Sequence, residues 1–270
     1  MENALFEKYE LLKINISKLG NAVVAFSGGI DSTLVLKAAF EVLKEKVVAV
    51  TADSPSLPRK ELEEARKIAK EIGAKHVIIQ TEETKDENYL KNPNNRCYYC
   101  KTELYSQLQK FAKENNFSNI LNGTNKDDMQ DYRPGLRAAD EHEIMSPLRD
   151  TNFSKEDVRK VAKFLNLKAW DKPSSPCLSS RIPYGHRVTM EKLRMVEESE
   201  NFLKDFGIKE LRVRHFGKSA RIDVKNEDKI IVNDNLDKIR IKFSEIGFDD
   251  VAVSDYKSGS LNVMINVNAN

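Results

Sequence analysis

Apolar positions in the first half of the chain alternate between short unbroken runs and longer stretches spaced as on a helix. Asn21 to Phe26 reads NAVVAF, a run of strand length, and Ser32 to Lys44 then carries its apolar residues on one helical face. The same alternation continues through VVAVT at Val47 to Thr51, a helix from about Pro58 to Ile72, HVII at His76 to Ile79, a helix beginning near Cys100, and NILNG at Asn119 to Gly123. Strands buried on both faces and separated by helices predict an α/β fold built on a doubly wound parallel sheet. The opening stretch, MENALFEKYELLK, reads as a charged helix without the apolar segment of a signal peptide.

The pattern changes in the second half. Pro147, Pro173, Pro176 and Pro183 punctuate a region that holds one clear helix, Lys155 to Leu165, with Ser154 placed as its N-cap. A boundary just beyond that helix divides the chain into domains at 1–175 and 176–270. From Thr189 onward the expected elements are a helix over Met190 to Lys204, strands at LRVRHF and ARIDV, a helix reaching about Ile246, and strands near VAVSDY and LNVMINV. These predict a smaller α+β domain with an antiparallel sheet, suited to substrate binding and oligomerisation. No internal repeat or low-complexity tract is present.

Composition narrows the function classes. The apolar fraction of 40% suits an ordinary core, and no run approaches the roughly 18 apolar residues of a membrane span, so a cytoplasmic protein is expected. The 44 basic and 42 acidic residues leave a formal charge of +2, which argues against nucleic acid as a partner. Three cysteines, Cys97, Cys100 and Cys177, make a disulfide framework improbable and reactive or metal-bound thiols the better reading.

Candidate chemistry begins after the first strand. Ser27-Gly28-Gly29-Ile30-Asp31-Ser32 joins that strand to a helix, which presents bare backbone N–H groups and the positive end of the helix to an anion. Gly28 and Gly29 let the backbone close around phosphate oxygens, and Ser27 and Ser32 add hydroxyl donors. Asp31 is out of place against phosphate unless it holds Mg²⁺ or shapes the loop. The bland alternative is a glycine turn. The GxxxxGK pattern of the Walker loop is absent.

SGGIDS resembles the SGGxDS signature of the PP-loop, or N-type, ATP pyrophosphatases, a likeness covering roughly the first 170 residues. The resemblance implies that ATP is cleaved between its α and β phosphates, AMP passing to an oxygen-bearing substrate and pyrophosphate staying on the loop. It also places Thr51, Ala52 and Asp53 beside adenine. Gly123 and Thr124 follow a later strand and are expected near the nucleotide, because ligands in open α/β sheets bind at the carboxyl ends of strands.

Cys97-Tyr98-Tyr99-Cys100 brings two thiols together, and Cys177 lies in the loop KPSSPCLSSRIPYG, which can return to the same cleft. A zinc half-site completed by Cys177 and one of His76, His142, His186 or His215 is one reading, and a redox pair at a helix start is another. Three thiolates without a second C-x-x-C favour an iron–sulfur cube with one iron lacking a protein ligand, open to hydrosulfide. A further alternative makes Cys177 alone the sulfur donor.

GTNKDDMQDYRPGLRAA, CLSSRIPYG and LRVRHFGKSARID together resemble the LarE family of sulfur insertases, which serve the nickel-pincer nucleotide cofactor of lactate racemase. The resemblance runs over nearly the whole chain. It implies a small-molecule substrate, pyridinium-3,5-biscarboxylic acid mononucleotide, adenylated on each carboxylate and converted to a thiocarboxylate with sulfur from a sulfide donor. Some family members sacrifice one cysteine, matching Cys177, and are left with dehydroalanine. Others resemble cluster-bearing forms. With all three cysteines this chain is expected to be such a form, using ATP, Mg²⁺ and a 4Fe-4S cluster held by Cys97, Cys100 and Cys177. The catalytic residues are then Cys177 and Asp31. The resemblance also implies a homo-oligomer, with a hexamer as one form it can take.

Arg212 and Arg214 alternate with Leu211 and Val213, so on a strand both guanidinium groups share a face. That face is either solvated or suited to a substrate bearing a phosphate and two carboxylates, which planar guanidinium groups bind in bidentate fashion. With Arg181 they match the family's substrate-binding arginines. Lys257 and Ser260 stand where relatives can have arginines, and among the acids that accompany a metal in sacrificial forms only Glu200 is matched. Tyr132, Arg133 and Tyr184 are open between structural and substrate-contacting roles. Two other functions remain open: cluster-dependent tRNA thiolation, and a nucleotide-binding or zinc-stabilised module without catalysis.

Overall fold

The computed structural model describes residues 3–130, 134–173 and 175–257. Tyr132, Arg133, Ser260 and the strand expected at LNVMINV lie outside the described residues. The chain divides into two compact units, one of residues 1–83 and 95–175 and another of residues 84–94 and 176–270.

In the first unit the elements follow in the order α1 (Asn3–Ser17), β1 (Ala22–Ala25), α2 (Ile30–Leu43), β2 (Val47–Asp53), α3 (Arg59–Ile72) and β3 (Lys75–Gln80). After α4 (Glu87–Leu90), which belongs to the other unit, come α5 (Arg96–Glu114), β4 (Ile120–Leu121), α6 (Pro134–Glu141), α7 (Pro147–Asp150) and α8 (Lys155–Phe164). The four strands form one parallel sheet in the order β3-β2-β1-β4. Alternation of side chains along each strand divides the apolar residues between two cores. Ala22, Val24, Val47 and Ala49 pack with α1, α2 and α8, whereas Val23, Val48, Val50 and Ile120 pack with Tyr105 and Leu108 of α5 and Ala138 and Ala139 of α6. Helices therefore cover both faces, which is why these strands read as unbroken apolar runs.

Local signals set the ends of several helices. Ser154 caps α8 in a capping box, its Oγ accepting from the Asp157 N–H at 3.1 Å while Asp157 Oδ2 accepts from the Ser154 N–H at 3.0 Å. Gly73 ends α3 in the left-handed conformation, φ 86°.

The strand order carries a functional consequence. From β1 the chain moves outward to β2 and β3, then returns to place β4 on the opposite side of β1. The reversal opens a crevice at the carboxyl ends of β1 and β4, where ligands of such sheets bind.

The second unit contains α4, α9 (Met190–Lys204), β5 (Leu211–Phe216), β6 (Ser219–Val224), α10 (Lys229–Asp234), α11 (Leu236–Ile246) and β7 (Asp250–Asp255). Residues 84–94 join it through Asn92, whose Nδ2 donates to the carbonyls of Ile182, Pro183 and His186 at 2.8–3.2 Å. The sheet order is β5-β6-β7, and it corrects the antiparallel expectation: β5 and β6 pair antiparallel, but β6 and β7 pair parallel. The reason is the connection. A two-residue turn reverses the chain between β5 and β6, whereas α10 and α11 carry it back before β7, and such a crossover returns a strand in the same direction.

Candidate active site and the cysteine and arginine clusters

The SGGIDS loop sits at the carboxyl end of β1, and its own serines fold it. The Ser27 N–H donates to Ser32 Oγ at 3.2 Å, Ser32 Oγ donates to the Gly29 carbonyl at 3.0 Å, and the Gly29 N–H donates to Ser27 Oγ at 3.3 Å. Gly28 has φ 70°, and a Cβ there would lie 3.0 Å from Ala65 Cα, so both its conformation and the closeness of α3 require glycine. Helix α2 begins at Gly29 with no side-chain cap, leaving its first N–H groups to the space in front of the loop.

The other wall of the crevice is the turn after β4. A Cβ on Gly123 would lie 2.7 Å from the Ser32 backbone nitrogen and 3.0 Å from the Asp31 carbonyl carbon, so this turn packs directly against the first turn of α2. Asn122 shapes it by accepting from the Thr124 N–H at 3.0 Å and from Ser146 Oγ at 2.9 Å. Ser27, Gly28, Gly29, Asp31, Ser32, Gly123 and Thr124 are thus gathered at one end of one sheet. Asp31 carries two partners. Lys155 Nζ donates to Oδ2, and Asn125 Nδ2 donates to Oδ1 at 3.1 Å. Neither partner was singled out in the sequence, where only their polar character was visible.

Thr51 lies within β2, which runs on to Asp53, and its side chain is buried. Its hydroxyl donates to the Phe26 carbonyl at 2.7 Å, so the His76 Nε2 at 2.8 Å must supply the proton of the second bond. Burial, aided by the charge of Arg66, lowers the His76 pKa and keeps the imidazole neutral in this role. Thr51 therefore ties β2 to the chain entering the phosphate loop. Asp53, at the open end of β2, is held by Arg59 and by Gln80 Nε2 at 3.1 Å; burial raises its pKa, but these donors hold it below the usual range.

Cys97 and Cys100 lie in the first turns of α5, and their three-residue spacing puts both thiols on one face of the helix. None of the three cysteines is in a disulfide; Cys97 is exposed, and Cys100 and Cys177 are half-buried. Cys97 and Cys100 belong to the first unit and Cys177 to the second. Within neither unit do the described residues gather three or more His, Cys, Asp or Glu side chains that could hold a metal ion.

The loop carrying Cys177 is fixed from behind by Arg181. That guanidinium, 1% exposed, forks onto Glu200 at 2.8 and 3.2 Å and donates from Nη1 to the carbonyls of Pro176 at 2.6 Å and Cys177 at 3.1 Å. Glu200 Oε1 also accepts from the Val213 N–H at 3.1 Å, so the pair joins the cysteine loop, α9 and β5. Arg181 cannot present its fork to a ligand without leaving Glu200 buried and unpaired.

Arg212 and Arg214 project from β5 into the same unit, both buried. Arg214 donates to Asp223 at 3.0 Å and to the Ser180 carbonyl at 2.8 Å, while Arg221 grips Asp223 from the other side at 2.7 and 3.2 Å. Arg212 donates to the Leu211 carbonyl at 2.7 Å and lies over the Tyr256 ring, 5.4 Å from its centroid. Burial and the neighbouring charge of Arg181 lower its pKa. Among the described residues Arg181, Arg212, Arg214 and Arg221 thus cluster with Glu200 and Asp223, and a concentration of guanidinium groups favours an anion.

A family model described as the queuosine biosynthesis protein QueC matches residues 21–96. A Synechocystis protein of uncharacterized function is 43% identical over 262 residues, covering 96% of this chain and 98% of its own. The pyridinium-3,5-bisthiocarboxylic acid mononucleotide synthase of Lactiplantibacillus plantarum is 35% identical over 264 residues, covering 96% and 95%. An uncharacterized protein of Methanocaldococcus jannaschii is 31% identical over 254 residues, covering 94% of each chain.

Proposed function

Because the chain belongs to the LarE family of pyridinium-3,5-bisthiocarboxylic acid mononucleotide synthases, we propose that it uses ATP to convert the carboxylates of a pyridinium-3,5-biscarboxylic acid mononucleotide into thiocarboxylates. The observation that carries this reading is the end-to-end similarity to the L. plantarum enzyme, and the crevice geometry agrees with it.

In this reading ATP lies at the carboxyl ends of β1 and β4 with Mg²⁺. The N–H groups of the SGGIDS loop and the open end of α2 receive the β and γ phosphates, and Asp31 faces the metal. A substrate carboxylate oxygen attacks the α-phosphorus, pyrophosphate leaves, and an acyl adenylate forms. Carboxylate is a poor electrophile, and adenylation supplies the leaving group it lacks. Sulfide then bonds to the acyl carbon, AMP departs, and the thiocarboxylate remains. Arg212 and Arg214 hold the phosphate and carboxylates of the substrate; Arg181 adds its charge to theirs and, paired with Glu200, holds the Cys177 loop.

The cysteines fit an iron–sulfur cluster by chemistry: all are thiols, two share a helix face, and none is fully buried. Cys97, Cys100 and Cys177 would hold a 4Fe-4S cluster, which when bound supplies a sulfide that is nucleophilic near neutral pH. The finished product would serve nickel-pincer cofactor assembly for lactate racemase, in a cytoplasmic homo-oligomer.

The test is product analysis. With ATP, Mg²⁺, sulfide and the mononucleotide, AMP and pyrophosphate should form together with a thiocarboxylated product, and neither should form when the mononucleotide is omitted. ADP and phosphate as products, or equal turnover with bulk tRNA, would refute it.

A further inference from the structure

The phosphate loop contains no lysine of its own, yet it is not without a cation. Lys155, 124 residues further along the chain, donates its ammonium to Asp31 Oδ2. It reaches the loop because the turn after β4 is tied to the start of α8. The Lys155 N–H donates to Asp127 Oδ2 at 2.8 Å, the Lys126 N–H donates to the Phe153 carbonyl at 2.8 Å, and Asn125 accepts from the Asp127 N–H at 2.9 Å while reaching Asp31 with its amide.

The placement of this lysine is unfavourable on local grounds. Lys155 is the first residue of α8, where the helix end is already positive and acidic side chains are preferred. Glu156 and Asp157 stand in the same turn, yet the Lys155 ammonium itself reaches to an anion on another element. In the described structure Asp31 is that anion. Both side chains keep access to solvent, 37% for Lys155 and 22% for Asp31, so the pair can part without exposing a sealed charge.

Bound ATP changes which partner is better. The β and γ phosphates bring several negative charges to the end of α2, where Asp31 would repel them unless a metal ion stood between. Resting on the reading that this loop binds MgATP, we propose that Lys155 is the cation contacting the pyrophosphate half of ATP: Asp31 passes to Mg²⁺, and the Lys155 ammonium moves to a β- or γ-phosphate oxygen. There it neutralises charge on the leaving group while the α-phosphorus is attacked. Asp31 then stores the lysine in position between turnovers.

Calorimetric binding of MgATP, magnesium pyrophosphate and AMP to the full chain tests this. Lys155→Ala should weaken ATP and pyrophosphate by about tenfold or more, as expected for loss of one charge-assisted phosphate contact, with AMP affinity kept. Lys155→Arg should recover most of the loss. In an Asp31→Asn background, Lys155→Ala should still weaken pyrophosphate, because the lysine acts on the ligand directly. If the loss vanishes in that background, or AMP and pyrophosphate weaken equally, Lys155 is only a brace for Asp31 and the proposal fails. Lys155→Met, checked by thermal melting, separates a folding defect from a binding one. A wild-type protein that binds neither ATP nor pyrophosphate would refute the phosphate-loop reading itself, a result distinguishable from loss in the variants alone.

Discussion

Gly123 touches the first turn of α2 so closely that a Cβ there would stand 2.7 Å from the backbone nitrogen of Ser32. The contact is backbone to backbone, so no rotamer change can relieve a clash. Gly123→Ala should displace the turn or the loop, lowering stability by about 1–3 kcal/mol and weakening ATP binding while the far end of the sheet is unaffected. Melting temperature and ATP affinity, measured together, check this; unchanged ATP affinity would show that the close approach does not shape the nucleotide site.

Removing one member of the Arg181–Glu200 pair should cost more than removing a surface ion pair. Both side chains are almost completely buried, and loss of either leaves a charge unpaired, typically about 3–5 kcal/mol. Glu200→Gln is expected to lower the denaturation midpoint sharply and to loosen the loop carrying Cys177, seen as faster thiol labelling of that cysteine. Labelling at the wild-type rate would separate the pair from the loop.

Arg212→Ala should weaken mononucleotide binding and leave ATP binding nearly intact, since the arginine belongs to β5 of the second unit and the phosphate loop to the first. Arg214→Ala should do the same with an added stability loss, because Asp223 would keep only Arg221. Well-desolvated contacts of this kind contribute roughly 2–5 kcal/mol. Equal substrate affinity in wild type and both variants would make this a structural strand face.

Cys97→Ser, Cys100→Ser and Cys177→Ser should each lose or degrade iron binding and thiolation, yet retain some pyrophosphate release. Anaerobic iron and sulfide analysis with a visible spectrum reads the first effect. The wild-type mass should be unchanged after several turnovers. Dehydroalanine at position 177, with Cys97→Ser and Cys100→Ser still active, would instead establish that Cys177 gives up its own sulfur.

His215 offers a pH-dependent stability. It is buried beside Phe248, neither ring nitrogen has a hydrogen-bond partner in another residue among the described residues, and burial, with Lys192 adding to it, pushes its pKa down to about 4. The folded state therefore resists a proton that the unfolded chain takes up from about pH 6.5. The stability is complete above pH 6.5 and falls with pH until about 4, by up to about 3 kcal/mol. The carboxylates Asp53 and Asp157, whose pKa values are lowered, lose their contribution only below the ordinary aspartate range. His215→Phe should flatten urea midpoints between pH 6.5 and 4; an unaltered slope would assign the effect elsewhere.

The sequence by itself determined what is local. Unbroken apolar runs marked β1 and β2 because those strands are buried on both faces, the run HVII marked the half-buried edge strand β3, and Ser154 announced α8 because a capping box is closed within four residues. The SGGIDS loop was legible for the same reason: its hydrogen bonds join residues no more than five apart. Tertiary structure decided the pairings between distant segments. Nothing in the pattern of β6 and β7 fixed their parallel direction, which follows from the path through α10 and α11. Nor did the sequence show that residues 84–94 join the second unit, that Glu200 pairs with Arg181, or that Lys155 meets Asp31. A charged side chain carries no periodicity that names its partner. Which opposite charge it meets depends on how the strands order themselves and where their connections bring the chain back, and only the packed fold sets that.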